Sequence, residues 1–562
     1  MTAIATLRIG TRGSALALAQ AGIVRDALAA SGVHATLEVV ETDGDRRAPD
    51  TAWGEGAFVS AIEAALLAGR IDVAVHSAKD VPTDEDRQLT IAAILPRADP
   101  LDVIVLPAGR ALTGLDDLPV GSRVGTDSPR RTAFLRAARP DLRMHPLHGN
   151  VDTRLRRLDD GETDALVLAA AGLARLGRSD RASLPLAPDL VPPAPGQGAL
   201  AVQVRADDHR VFNLVRPLDH PATRRAVAVE RAVLASAGGG CRAPLGVLGT
   251  VDGGILDLTA GYARDRGGVR VTATRRATDG DDAMLVASIL DDLATTAAAQ
   301  AAASDGPRVV VTRPAGQAAS VMLALVDVGL VPLAVPAIAI EPVDDGMADA
   351  ALARLASYDW VVVTSANAVP AVRAAAERTG ISLAGAGSGE GPRWAVVGAA
   401  TERVLAAAGV RAAFRPDASN ADAVVAGIPL MGGERVLFLH GDLAGDGLPI
   451  GLRGRGAHVE AVVVYRTVEA PGASTAALAV AVAEHPDAVV FSSGSTVRGL
   501  ATLAAGLDAA DTVRSWPAIC IGNSTASVAA EQGFTVAAVA PGQDPRGVAA
   551  SARDIVCPEE NR

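Results

Sequence analysis

IDVAVHSAKDVPTD, residues 71 to 84, decides the fold class. Ile71, Val73 and Val75 alternate as a strand, and Val81-Pro82 forces extended backbone, so His76 to Asp80 read as a loop at the strand's carboxyl end. Open α/β sheets place their ligands at that end. Lys79 is the only lysine in the chain, so the other 51 of the 52 basic residues are arginine. A compact ammonium and a planar guanidinium are interchangeable on solvated faces and not in a site. Lys79 is therefore either a chance survivor or, beside Asp80, half of a pair presenting opposite charges to one ligand.

The same strand-then-helix grammar recurs outward from this stretch. LRIGT (7–11) leads into ALALAQAGIVRDALAASG (15–32), and in TRGS (11–14) Ser14 is a candidate N-cap and Arg12 a candidate carboxylate fork. GTDSPRR (125–131) repeats the design with Ser128 as N-cap and Pro129 at the first helical position. Arg130 and Arg131 then oppose the helix dipole, which is unfavourable unless an anion joins them. GNVDTRL (149–155) and AGLARLG (171–177) add Arg154 and Arg175, so either a solvated charge run or a shared anionic cleft is present. GGGCRAPLG (238–246) sets Cys241 on a glycine loop beside Arg242, where an inert small hydrophobe and a reactive thiol are both open.

Composition narrows the partners. The 562 residues suggest roughly three to four domains, and 49% apolar content with mean hydropathy +0.26 can fill several cores. No secretion signal is expected at the N-terminus, and VGLVPLAVPAIAI (328–340) is too short and too proline-broken to span a bilayer. Three scattered cysteines make neither a disulfide framework nor a metal site, which fits a cytoplasmic protein. A net charge of -12 and 2% aromatics argue against nucleic acid, yet residues 122–158 carry nine arginines against three aspartates. Small carboxylates or phosphates remain as ligands.

The expected fold is α/β and multidomain, with mostly parallel sheets. A compositional break at 291–306 marks the main boundary, after which the strand pattern restarts at RVVVT. The second half is internally duplicated: VVVTSANAV (361–369) aligns with VVFSSGSTV (489–497), and WAVVGAATERVLAAAGV (394–410) with PAICIGNSTASVAAEQGFTV (517–536). Two similar lobes follow, whose Ser/Thr/Gly turns are either ordinary helix caps or anion-binding helix starts.

VHSAKDVPTD, TRGS, GTDSPRR, GNVDTRL, PAPGQGAL (193–200) and GGGCRAPLG together resemble hydroxymethylbilane synthase, also called porphobilinogen deaminase, over residues 7 to about 290. The resemblance implies two periplasmic-binding-protein-like lobes (about 1–97 with 198–217, and 98–197) and a smaller α+β domain (about 218–294) whose Cys241 holds a dipyrromethane cofactor by a thioether. It implies that four porphobilinogen units add head to tail with loss of ammonia, water releasing hydroxymethylbilane. Asp80 matches the family's catalytic aspartate. Arg12, Ser14, Ser77, Lys79, Arg130, Arg131 and Arg154 match cofactor-binding positions, and Phe58, His148 and Arg175 substrate-binding ones. Two departures stand out: His148-Gly149-Asn150 replaces the family's Arg-Gly-Asn, and Glu55 in GEGAF (54–58) replaces a common lysine.

Residues 307–562, after a linker at 295–306, resemble uroporphyrinogen-III synthase through VVVTRP (309–314), YDWVVVTSANAV (358–369), VVGAAT (396–401), VVVYRT (462–467) and IGNST (521–525). That family closes hydroxymethylbilane with inversion of its last pyrrole, without metal or organic cofactor. Thr364, Ser365, Asn367, Thr401, Ser492, Ser493 and Thr525 line up with its cleft, and Tyr465 is the plausible acid or a packing tyrosine. His440-Gly441 stands where many members have Arg-Gly. A monomer acting on small molecules, away from membranes, is expected. Two rivals remain: a first enzyme joined to a degenerate second module, and a two-lobed polycarboxylate-binding protein that would need neither Asp80 nor Cys241.

Overall fold

The computed structural model describes residues 6–41, 59–83, 86–239, 243–264, 268–278, 280–383, 391–418, 420–542 and 544–558. The chain forms two compact units, the first comprising residues up to Gly306 together with Ala319–Val331, the second Pro307–Ala318 and the residues from Pro332 on.

In the first unit β1 (Leu7–Thr11), β2 (Ala35–Val39), β3 (Val73–Ser77) and β4 (Leu89–Ile94) begin one sheet. The chain then builds a second sheet from β5 (Asp102–Val105), β6 (Arg123–Gly125), β7 (Arg143–His145), β8 (Ala165–Ala169) and β9 (Ala182–Leu186), in the order β7-β6-β8-β5-β9. It returns through β10 (Leu200–Arg205), which enters the first sheet in the order β2-β1-β3-β10-β4. Expected to be mostly parallel, both sheets are mixed: β10 runs antiparallel to β3 and β4, and β5 antiparallel to β8 and β9. Each return strand is buried on both faces and so reads as a plain apolar run, which carries no sign of direction. A third, antiparallel sheet joins β11 (Leu245–Asp252), β12 (Ile255–Ala263) and β13 (Arg270–Ala277). The helices Pro221–Ser236 and Asp282–Ala302 flank it.

Two expectations are corrected here. His76 belongs to β3 rather than to the loop: it is buried, lies 3.2 Å from Gln203 Oε1, and burial pushes its imidazole down to about 4. The residues from Thr295, expected as linker, continue the helix Asp282–Ala302 and bury Ala297 and Ala301 beside Leu293. An alanine-rich tail is a strong helix former, and small side chains allow close packing.

The second unit holds β14 (Arg308–Val311), β15 (Val331–Ala334), β16 (Ile338–Pro342), β17 (Trp360–Val363), β18 (Arg393–Val396), β19 (Ala412–Phe414), β20 (Arg435–Gly441), β21 (His458–Glu469), β22 (Ala488–Phe491), β23 (Ala518–Cys520) and β24 (Val536–Val539). They form two sheets, β15-β14-β22-β23-β24 and β16-β21-β20-β17-β18-β19. The equivalent strands β17, β18 and β22, β23 make the expected internal repeat, each set parallel. Trp360, Trp394, Phe438 and Phe491 fill the cores. The two crossings between lobes run side by side, Ala470 N donating to Ala337 O at 3.0 Å.

Candidate active site

In the first unit β1 and β3 pair directly in parallel, so their carboxyl ends deliver Arg12, Ser14, Ser77, Lys79 and Asp80 to one place. Ser14 caps the helix Ala15–Ala30 by accepting from Ala17 N, and Gln20 of that helix donates to Ser77 Oγ at 3.0 Å. Lys79 and Asp80 sit on a short 3-10 turn, Ala78–Asp80. Ala78 is buried, whereas Asp80 is exposed. Protein mass around Asp80 raises its carboxyl pKa, against the pull of Lys79 and Arg12. Desolvation pushes the Lys79 ammonium down to about 8, although Asp80 favours its charge.

The second sheet brings a second set of charges close to this turn. Ser128 caps the helix Pro129–Ala138, with Pro129 in its first turn as expected. Arg130 and Arg131 in that turn meet an anion the sequence reading did not single out, Asp102. The carboxylate is fully buried at the start of β5, 2.8 Å from Arg130 Nη2 and 2.7 Å from Arg131 Nη2. Burial would raise its pKa, but the two guanidiniums and Gln197 hold it well below the carboxylate range. Gln197 bridges the two sets, accepting from Lys79 Nζ at 3.2 Å and donating to Asp102 Oδ1 at 2.9 Å. Gly196 before it has φ +75°, and a Cβ there would stand 3.0 Å from the Lys79 nitrogen, so the PAPGQGAL turn lies directly against the lysine backbone. A lone acid in the apolar run LDVIVL was the one available signal for Asp102, since a buried carboxylate requires paired cations.

Asn150 caps the helix Val151–Asp159, which carries Arg154. Burial pushes the Arg154 guanidinium down to about 10, and its Nε is buried with no hydrogen-bond partner among the described residues. His148 Nδ1 lies 2.9 Å from Asp127 Oδ2, a contact without hydrogen-bond alignment. Arg175 ends the helix Ala170–Arg175 and donates to Gly198 O at 2.6 Å. Phe58, Glu55, Cys241 and Arg242 lie outside the described residues.

In the second unit the six-stranded sheet presents Thr364, Ser365 and Asn367 after β17, Thr401 after β18 and Tyr465 on β21 beside Gly441. A Cβ on Gly441 would collide with the Tyr465 ring, so this glycine makes room for the phenol. The five-stranded sheet presents Ser492 and Ser493 after β22 and Thr525 after β23. Ser493 caps its helix by accepting from Thr496 N, and Thr401 and Thr525 are buried. Gln317 Nε2 donates to Asn367 Oδ1 at 2.9 Å, tying the loop after β14 to the loop after β17. Sequence reasoning gave no role to Arg313 in that first loop; burial lowers its pKa, and its Nε has no hydrogen-bond partner among the described residues. His440 stacks on Phe438, ring centroids 4.4 Å apart, and its Nδ1 lies 2.8 Å from Gly441 O.

Among the described residues no group of acids, histidines and cysteines could hold a metal, and no helix is long and apolar enough to cross a membrane.

A family model described as porphobilinogen deaminase, dipyromethane cofactor binding domain, matches residues 7–213, and one described as uroporphyrinogen-III synthase HemD matches residues 321–550. The chain is 52% identical over 246 residues to a porphobilinogen deaminase of Mycobacterium ulcerans, covering 44% of this chain and 77% of that one. It is 48% identical over 290 residues to that of Acidothermus cellulolyticus, covering 50% and 86%. A mutant uroporphyrinogen III synthase structure from Thermus thermophilus aligns over 45% of this chain and 100% of its own, at 20% identity and TM-score 0.34.

Proposed function

The chain belongs to the porphobilinogen deaminase family, and from that premise we propose how its residues work. It is a bifunctional enzyme of tetrapyrrole biosynthesis, condensing four porphobilinogen molecules to hydroxymethylbilane with loss of ammonia and cyclising that product to uroporphyrinogen III. The observation that carries the reading of the first site is the Lys79-Asp80 turn, with its exposed carboxylate, set between Arg12 and the Arg130-Asp102-Arg131 wall.

The two mixed sheets are the lobes of the catalytic cleft, and the three-stranded sheet belongs to the domain that carries Cys241. The wall fits a polycarboxylate: Arg130 and Arg131 with Asp102 leave one net positive charge, and Arg154 keeps a buried N-H without partner among the described residues. Arg12, Ser14, Ser77, Lys79, Arg130, Arg131 and Arg154 would hold dipyrromethane carboxylates, with the thioether to Cys241. When bound, that group supplies the pyrrole carbon to which the first unit is joined, each later unit adding to the ring before it. His148, paired with Asp127, and Arg175 would meet carboxylates of incoming porphobilinogen, with Phe58 against its ring. Intact-protein mass spectrometry tests the attachment: a two-pyrrole increment is expected in the parent and none in Cys241→Ser, and an increment surviving that substitution would refute it.

Asp80 is the catalytic residue. Loss of ammonia leaves a cation on the porphobilinogen-derived carbon, and a carboxylate about 4 Å away at an effective dielectric of 20 stabilises it by ~4 kcal/mol. The exposed Asp80 oxygen can then pass the ring proton released on re-aromatisation to cleft water. Lys79 binds a carboxylate only while protonated. Since its pKa is depressed to about 8, kcat/KM for porphobilinogen is expected to fall as pH rises through that value. Lys79→Arg should remove this alkaline limb while lowering the plateau. A limb unchanged by the substitution would assign it to another group.

In the second unit the Tyr465 phenol would assist loss of the terminal hydroxyl of hydroxymethylbilane. Thr364, Ser365, Asn367, Thr401, Ser492, Ser493 and Thr525 would hold its carboxylates through hydroxyls and helix-start N-H groups. The site of action is the cytoplasm and the active form a monomer, which sedimentation of the active enzyme checks. The experiment that tests both activities is incubation with porphobilinogen followed by separation of porphyrin isomers. The intact chain should give mainly type III. Type I as main product would overturn the second assignment. Gly441→Val, which displaces the Tyr465 ring, should shift product towards type I without changing ammonia release.

A further inference from the structure

The helix Pro221–Ser236 ends five residues before Cys241 and carries two adjacent charges, Glu230 and Arg231. They reach the two halves of the Lys79 environment. Arg231 Nη1 donates to Val81 O at 2.7 Å and Nη2 to Pro82 O at 2.7 Å, with Ala78 O at 3.5 Å from Nη1. The chemistry of that stretch calls for such a donor. The short turn Ala78–Asp80 leaves carbonyls at its end without helical partners, and Pro82 has no N-H to offer the neighbouring backbone. A planar fork spans two successive carbonyls as an ammonium cannot.

Glu230, fully buried, accepts from Gly196 N at 2.6 Å and Gly249 N at 2.7 Å. It also pairs with Arg97, whose Nε donates to Gln197 O at 2.8 Å. Gln197 in turn holds Lys79. One helix therefore fixes the loop bearing Asp80 from one side and the glutamine beside Lys79 from the other.

We propose that Arg231 is a positioning residue for Asp80: through the carbonyls of Val81 and Pro82, the helix leading to Cys241 sets where the catalytic carboxylate stands. This rests on the assignment of Asp80 above. A misplacement near 1 Å can cost about a hundredfold in rate, so losing the fork should lower kcat about tenfold or more while KM stays within about threefold. A merely structural brace would instead lower the amount of folded enzyme and leave kcat per active site unchanged.

The test is a double-mutant cycle on the full chain, with ammonia release as readout: Arg231→Met, Asp80→Asn and the two combined. If Arg231 acts through Asp80, Arg231→Met costs less than about twofold in the Asp80→Asn background, and Arg231→Lys recovers part of the single-variant loss. Losses that multiply in the double variant would overturn the positioning role and leave Asp80's assignment standing. Parental turnover in Asp80→Asn would overturn that assignment and the proposal with it. Should Arg231→Met not fold, the same cycle with Arg231→Lys decides by the same criterion.

Discussion

Asp80→Asn is expected to fold and bind porphobilinogen but to lose at least about a hundredfold in turnover. The carboxylate is exposed and is not part of a core, so removing its charge disturbs little packing. What it removes is the counter-charge to the cation left by ammonia. The ~4 kcal/mol available at about 4 Å and an effective dielectric of 20 corresponds to roughly a thousandfold in rate. An amide retains a dipole and a hydrogen-bond acceptor, so part of that stabilisation survives and a hundredfold is the lower bound. The same substitution removes the proton acceptor. Ammonia release at saturating substrate checks the loss, and substrate-dependent mass increments on the protein check binding. Release within a few fold of the parent would take the catalytic role from Asp80.

Asp102→Asn is expected to act on stability instead. It leaves Arg130 and Arg131 buried with no anion between them, and breaking a buried pair by removing one partner costs about 3–5 kcal/mol. Two cations share the one carboxylate, which places this case at the upper end. The first unit's thermal transition should fall by on the order of 10 °C, followed by calorimetry because two units need not unfold together. The parent's pH dependence has a definite sign. Asp102's folded pKa lies below the unfolded value, so its contribution is complete above about pH 4 and is lost as pH falls towards the folded pKa. The variant should lack that acid-side loss. A transition within about 2 °C of the parent would show that solvent or relaxation compensates the arginines.

The local grammar of this protein was legible in its sequence. Ser14 and Ser128 cap the helices they precede, Pro129 opens its helix, and Lys79 and Asp80 stand at a strand's carboxyl end, because capping and strand-to-turn chemistry involve residues within four positions of each other. The duplicated second half was equally readable, since each repeat carries its own strand-turn-helix code. What the tertiary structure alone decided is who answers those charges. Asp102 meets Arg130 and Arg131 only because β5 runs antiparallel into the second sheet. Gln197 reaches Lys79 across 118 residues only because β10 returns beside β3, and Glu230 and Arg231 find the same loop from a third sheet's helix. A buried apolar strand reads the same in either direction, so sequence could not give the direction of β5 or β10, and the partners of the buried charges follow from that direction.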